Sequence, residues 1–435
     1  MQIYIEKLIY GGAGLGRGDD GRPVFVKKTV PDDLVEVEIK QDKRSYCLAE
    51  TKEILRASND RINPKCPSFG HCGGCEHQNM SYQSQLLAKE TIFEEVLARA
   101  DIETEILPII PGGEAEFFYR NTIRYFFAKF AGRICLSMHD AEDFRKLIKV
   151  ENCLLQSEIG NEIAAKLLAL FNTFEEDFAD NLSQLRIREG KHTGEIMIEL
   201  VTKTDQLPHK EEIKAVLLAF SNIKSAYHTI SQKDSLYDAK RKLIFGSPII
   251  HEKIGKHTFQ ISPESFFQTN SLGIKTLYDT IKQFADIRAG DSVIDLFCGT
   301  GTIGIYLSTL AKEVIGVESI QSAINDAKAN AKLNKVINAE FICADATKWL
   351  NKATMQQCNN ATIILDPPRE GLNKELINKL STVKCKQLIY VSCNPSTFAR
   401  DIKEFEIHGL KLKKVQPVDM FPQTHHLECV GLISR

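Results

Sequence analysis

A chain of 435 residues with 43% hydrophobic content can bury two or three cores, and its 55 basic against 57 acidic residues (net charge -2) exclude a uniformly basic surface. No apolar run is long enough to span a bilayer, and the opening "MQIYIEKLIY" lacks the apolar core of a signal peptide, so a cytoplasmic location without membrane contact is expected. Twelve cysteines in such a compartment speak against a disulfide framework and for metal-binding or catalytic thiols.

The first 55 residues read as a small β unit. "VFVKKTV" and "DLVEVEIK" alternate apolar with polar residues, and "GGAGLGRGDDGRP" and "PDD" supply turns, a pattern that predicts an OB-like barrel. Its Lys27, Lys28, Lys40, Lys43 and Arg44 are candidates for phosphate contact or for an ordinary solvated face. Residues 56–265 form a middle part. It opens with "CPSFGHCGGCEHQ", followed by a predicted helix that Ser81 would cap, with Leu86, Ile92, Val96 and Leu97 close to one face. Strand patterns such as "EIMIELVTK" and "KHTFQIS" follow, with one helix around "EIAAKLLALF". The last part, 266–435, alternates apolar strands ("SVIDLF", "EVIGVES", "AEFICAD", "ATIILD", "QLIYVS") with helical segments. That alternation predicts an α/β unit of Rossmann type, a parallel sheet with crossover helices.

"SVIDLFCGTGTIGI" is a strand running into a glycine-rich turn that opens a helix, and Gly299, Gly301 and Gly304 match the dinucleotide fingerprint. The neighbouring carboxylates decide between cofactors. Asp295 precedes the turn, where a pyrophosphate would meet like charge but an α-amino group would be welcome. Glu318 ends the next strand and suits ribose hydroxyls, and Asp345 ends the one after and suits an adenine amine. Three acids at three successive strand ends favour S-adenosylmethionine over a dinucleotide, because ligands of open α/β sheets bind at that rim.

"IILDPPREGL" ends the fourth strand. Enzymes that methylate exocyclic amines of bases place an aromatic after Asp-Pro-Pro, whereas Arg369 stands here. The next strand ends at Cys393, just before Asn394-Pro395, where a thiol is presented rather than packed. Carbon 5 of a pyrimidine is not nucleophilic, but a thiolate added to carbon 6 makes it so. The adduct then needs a base, and Glu428 in "HHLECVGL" suits that task or is an ordinary carboxylate.

"LDPPREGL", "YVSCNPSTFARD", "HHLECVGL", "SPESFFQTN" and "DLFCGTGTIGI" together closely resemble the motifs of the RNA uracil-C5 methyltransferases. The resemblance implies that Cys393 is the nucleophile and Glu428 the base. It also implies that Gln268, Phe297, Thr302, Glu318 and Asp345 line the S-adenosylmethionine site, with Asp366 between cofactor and uracil. Some relatives carry Asn in place of Thr302, a longer side chain with an amide. The N-terminal unit is similar to the TRAM domains of such enzymes, which implies RNA contact.

Cys66, Cys72 and Cys75 remain. By chemistry alone a Cys-x-x-Cys suits zinc or an iron–sulfur cluster, and three clustered thiols with one distant fourth, Cys135 or Cys153, fit a cubane better than a four-thiolate zinc. The resemblance implies a 4Fe–4S cluster on Cys66, Cys72, Cys75 and Cys153. The expected function is 5-methyluridine formation by a monomer, in 23S ribosomal RNA, with transfer RNA as the alternative. An RNA cytosine-C5 methyltransferase would carry a cysteine after the proline of "DPPRE", which is absent. A non-catalytic RNA-binding or assembly protein would not need the full set of nucleophile, base and cofactor residues.

Overall fold

The chain is described by a computed structural model covering residues 1–435 except 114, 238, 353–357 and 359. At the N-terminus six strands pair in the order Gln2–Tyr4, Leu34–Asp42, Cys47–Arg56, Pro23–Val26, Gly14–Arg17, Lys7–Leu8. Their inward side chains, among them Ile3, Val24, Val26, Val35 and Val37, form a core of their own. A Cβ at Gly16 would lie 2.4 Å from the carbonyl of Tyr4, so glycine there lets the strands close on one another. The strand predicted through Val30 stops at Val26, because Lys28 turns the chain at φ 64°.

A second sheet of seven strands occupies the middle of the chain, from Leu147–Lys149 at one edge to Lys240–Gly246 at the other. The helices Glu158–Phe171 and Lys210–Leu218 bury Ile163, Leu167, Phe171, Ile213 and Leu217 against it. The hairpin Ile250–Ile254/His257–Ile261 then leads into the C-terminal half.

There a nine-stranded sheet runs in the order Ala339–Cys343, Glu313–Glu318, Ser292–Leu296, Thr362–Leu365, Gln387–Ser392, Glu428–Ser434, Lys411–Asp419, with Glu105–Ile106 and Ile110–Pro111 beside the last. The first five are parallel, as their near-continuous apolar runs require, and Glu428–Ser434 enters antiparallel. This is the Rossmann-like layout expected from the alternation. Strand order reverses beside Ser292–Leu296, which opens a crevice at its carboxyl end. The helix Tyr82–Arg99, capped by Ser81, which accepts from the NH of Ser84, packs Phe93 and Leu97 into the core of this sheet. Among the described residues no helix is long and apolar enough to cross a membrane.

Candidate active site

At the crevice, Ser292–Leu296 turns sharply at Phe297, whose φ is 67°. The amides of Phe297 and Cys298 donate to the carbonyl of Val317 at 2.9 and 3.1 Å, holding the turn against the next strand. Gly299 and Gly301 follow at positive φ, and the helix Thr302–Leu307 begins. A Cβ at Gly301 would come within 2.8 Å of the Phe341 ring, whereas nothing lies within 4 Å of one at Gly299. The space over Gly299 is therefore open to a ligand.

Glu318 reaches into this turn. One oxygen accepts from the Gly299 amide at 3.3 Å, and the other accepts from the Ile320 amide and the Ser319 hydroxyl, both at 2.9 Å. Asp345 lies exposed at the next strand end and accepts from the Lys348 amide at 2.9 Å, so it also caps the helix Ala346–Lys352. The Thr302 and Tyr278 hydroxyls share a hydrogen bond of 2.6 Å. Gln268 is half-buried in the loop before the helix Ser271–Ala285; its carbonyl accepts from the Asn121 amide group at 2.7 Å, and its side chain has no partner among the described residues.

Asp295 departs from expectation. It is fully buried under the turn instead of facing the crevice, with one oxygen accepting from the Gly304 amide at 3.0 Å and the other unpaired. Burial, then the charge of Asp366, pushes its pKa up to about 8. Asp366 ends the adjacent strand and is itself pushed up to about 7 by burial.

The strand Gln387–Ser392 pairs antiparallel with Glu428–Ser434, Val391 opposite Val430 and Ser392 opposite Cys429. One further step in that register sets Cys393 across from Glu428. Asn394 caps the helix Pro395–Ile407, accepting from the Ser396 amide at 3.1 Å, so the Cys393 thiol stands at the positive end of a helix. Cys393 is half-buried, while its neighbour Cys429 is 1% exposed. Burial pushes Cys393 up to about 11, with Glu428 adding to the rise and Arg369 opposing it. Glu428, 3% exposed, is raised well above the usual carboxylate range by burial, then by Asp366, and again Arg369 opposes. Arg369 is fixed there by its carbonyl, which accepts from Asn394 Nδ2 at 3.3 Å and Thr397 Oγ1 at 3.2 Å. The sequence marked Arg369 only as the absence of an aromatic; here it is the cation beside both reacting groups.

The loop that delivers Glu428 is anchored from far away. Lys89 donates to Asp419 at 2.6 Å and to the carbonyl of Phe421 at 3.0 Å, with both side chains buried. Gln85 and Gln423 bond twice, at 2.9 and 3.0 Å, and the amides of Glu76 and His77 both donate to the Gln423 carbonyl at 3.0 Å. The spacing Leu86, Lys89, Phe93 puts a lysine on the apolar face of its helix, the one signal that could have marked it.

Cys66, Cys72, Cys75 and Cys153 line a single cavity of about 310 Å³, shared with Arg120 and His139. The Arg120 Nε and both His139 nitrogens are buried there with no hydrogen-bond partner among the described residues. Among the described residues no three His, Cys, Asp or Glu side chains are close enough to hold one metal ion. Cys135 is buried in the strand Arg133–His139 and does not line the cavity. Of the five basic residues singled out in the N-terminal unit, Lys28 pairs with Glu142, Lys40 with Glu38 and Glu50, and Lys27 donates to the Ala141 carbonyl at 3.3 Å, while Lys43 and Arg44 are exposed.

A Rossmann-like sheet with a glycine-rich turn at its crevice is a layout shared by methyltransferases, and comparison with known proteins agrees. The tRNA (uracil-5-)-methyltransferase family pattern matches residues 81–435 and the TRAM domain pattern residues 1–52. An RNA methyltransferase of Oceanobacillus iheyensis is 35% identical, covering 99% of this chain and 96% of its own, and one of Fusobacterium nucleatum is 36% identical, covering 100% and 96%. The solved Pyrococcus abyssi tRNA (uracil-54, C5)-methyltransferase, in complex with S-adenosyl-L-homocysteine, superimposes with a TM-score of 0.79 at 28% identity over 100% of both chains. The chain belongs to the S-adenosylmethionine-dependent RNA uracil-C5 methyltransferase family, with an N-terminal TRAM domain.

Proposed function

We propose that Cys393 and Glu428 carry out methylation of carbon 5 of a uridine in RNA. The observation that supports this most is the strand register setting the thiol opposite the buried carboxyl, beside Asp366 and Arg369. The Cys393 thiol loses its proton to solvent, its sulfur then bonds to carbon 6, and the displaced ring electrons reach carbon 5. The positive helix end and Arg369 favour the anionic sulfur. Bound S-adenosylmethionine supplies the electrophilic methyl group. Glu428 then removes the carbon 5 proton, and the returning electrons expel sulfur. Burial makes Glu428 a stronger base than an ordinary carboxylate, in keeping with that step. Gln268, Phe297, Thr302, Glu318, Asp345 and Asp366 would hold the methyl donor; the open space over Gly299 and the unpaired Gln268 amide fit such a ligand.

Cys66, Cys72, Cys75 and Cys153 would hold a 4Fe–4S cluster. Three clustered thiols and a distant fourth that line one cavity fit a cubane better than a four-thiolate zinc. Its role here is structural or RNA-positioning, because methyl transfer moves no electrons. Iron and sulfide analysis of anaerobically purified protein checks this, and a stoichiometric zinc content with no iron would overturn it.

The RNA is proposed to be ribosomal, on the cysteine set. A transfer RNA substrate is the second reading, favoured by the whole-chain likeness to the Pyrococcus enzyme. A cytoplasmic monomer suffices for either. Mapping 5-methyluridine in both RNAs, with and without the gene, separates them. RNA containing 5-fluorouridine tests the mechanism: fluorine cannot leave as a cation, so the wild-type enzyme should stall as a covalent complex and Cys393→Ala should form none. A complex formed by the variant would refute the assignment.

A further inference from the structure

Tyr10 carries the N-terminal unit to the edge of the active site. Tyr10 lies in the tight turn after Lys7–Leu8, where the Gly12 amide donates to the Ile9 carbonyl at 3.0 Å and that of Ile9 to Ala13 at 2.9 Å. The turn is seated firmly, since a Cβ at Gly12 would strike the Glu76 side chain at 2.8 Å. From below, Tyr10 packs on the apolar cluster of Leu8, Val30, Met80 and Ile92, which joins barrel and helix. Its ring meets His425 edge-on, centroids 5.5 Å apart.

From there a row of rings runs along the mouth of the site. His425 and His426 are 4.1 Å apart, and Phe421 stands edge-on to His426 at 5.9 Å. Arg369 Nη2 donates to His426 Nε2 at 3.4 Å, which joins the row to the cation beside Cys393. None of Tyr10, His425, His426 and Phe421 is fully buried. The Glu76 carboxylate steadies the row, accepting from the His425 amide at 3.1 Å and approaching its Nδ1 at 3.2 Å without hydrogen-bond alignment. The Tyr10 hydroxyl has no partner among the described residues. It lies within electrostatic reach of Arg369, Cys393 and Glu428, whose charges act on its titration after the effect of burial.

A half-open row of rings with one cation, at the edge of a pocket that takes a flipped-out base, has the make-up of a single-strand stacking track. Burial, reinforced by His425 and Arg369, pulls His426 down to about 3, so its ring is neutral and serves as a flat surface rather than a phosphate clamp. We propose that Tyr10 is a positioning residue: its ring stacks on an unpaired base adjacent to the target uridine, so that the barrel helps align the substrate at Cys393. This rests on the uridine reading above and adds which part of the substrate is held, and by what.

The test uses full-length protein and in-vitro transcripts of ribosomal and transfer RNA, made with uridine to measure turnover and with 5-fluorouridine to measure trapping. Tyr10→Ala should weaken RNA binding about tenfold, a loss seen in KM rather than kcat, and Tyr10→Phe should restore it, since stacking needs the ring and not the hydroxyl. S-adenosylhomocysteine affinity, measured in each variant, reports that the catalytic fold is intact. An abasic scan around the modified uridine in the reacting transcript then locates the contact. At one neighbouring position the loss seen with wild type should vanish in Tyr10→Ala. Losses that add at every position would overturn the proposal, as would equal RNA affinity of Tyr10→Ala and wild type, or a Tyr10→Phe as weak as the alanine variant. If wild type traps no transcript, the uridine reading fails and this inference with it; if it does and Tyr10→Ala binds and traps equally well, this inference alone fails.

Discussion

The buried pair between Lys89 and Asp419 offers a quantitative test of how Glu428 is positioned. Their side chains are 1% and 0% exposed and 2.6 Å apart. Burial pulls the Lys89 ammonium down and Asp419 opposes that pull. Replacing the lysine in Lys89→Met keeps the volume but strands a buried carboxylate that keeps the Phe421 amide at 3.1 Å and the neighbouring Tyr82 hydroxyl in place of a cation. Breaking one side of such a pair costs about 3–5 kcal/mol. At about 2–4 °C per kcal/mol for a domain of this size, the melting temperature of the catalytic part should fall on the order of 10 °C. The double variant Lys89→Met/Asp419→Asn removes the stranded charge and should recover most of the loss. Thermal melts with bound S-adenosylhomocysteine, read beside covalent trapping of 5-fluorouridine RNA, measure both stability and loop position. A single variant melting within about 2 °C of wild type, or a double variant no better than the single, would refute the reasoning.

Further consequences concern charge. Glu428→Gln should still form the sulfur–carbon bond and methylate carbon 5, yet release product at least about a hundredfold more slowly, so that adduct on ordinary uridine RNA becomes visible on a denaturing gel. Because Cys393 titrates near 11, its thiolate fraction rises about tenfold for each pH unit below that value, and single-turnover adduct formation should follow it between pH 7 and 9. Arg369→Ala removes the cation opposing that rise and should slow adduct formation at every pH in the same range while leaving the slope unchanged; an unchanged rate counts against its electrostatic role. Asp295 has a raised folded pKa, so its contribution to stability is present in full below the unfolded carboxyl value near 4 and is lost as pH climbs through about 8. Asp295→Asn, which mimics the neutral acid, should flatten that decline in urea unfolding of the catalytic part, and an identical slope would show that the buried carboxyl is not its source.

What the sequence by itself determined was whatever depends on near neighbours. Alternating apolar runs imposed a parallel sheet, the glycines from 299 to 304 imposed a turn before a helix, and Asn394-Pro395 ended the strand at Cys393, because periodicity and backbone sterics act over a few residues. The cysteine spacing likewise grouped Cys66, Cys72 and Cys75, and the fold lines one cavity with these three and Cys153 while burying Cys135 elsewhere. Only the tertiary structure decided that Glu428 comes to lie across from Cys393, since this follows from the register of an antiparallel strand added to a parallel sheet. Only it sealed Asp295 beneath the turn, drew Lys89 to Asp419 across 330 residues, and brought Tyr10 from the barrel to the mouth of the site. Such contacts arise because distant segments must share one core and satisfy one another's buried charges and hydrogen bonds, a condition on the whole chain that no local pattern records.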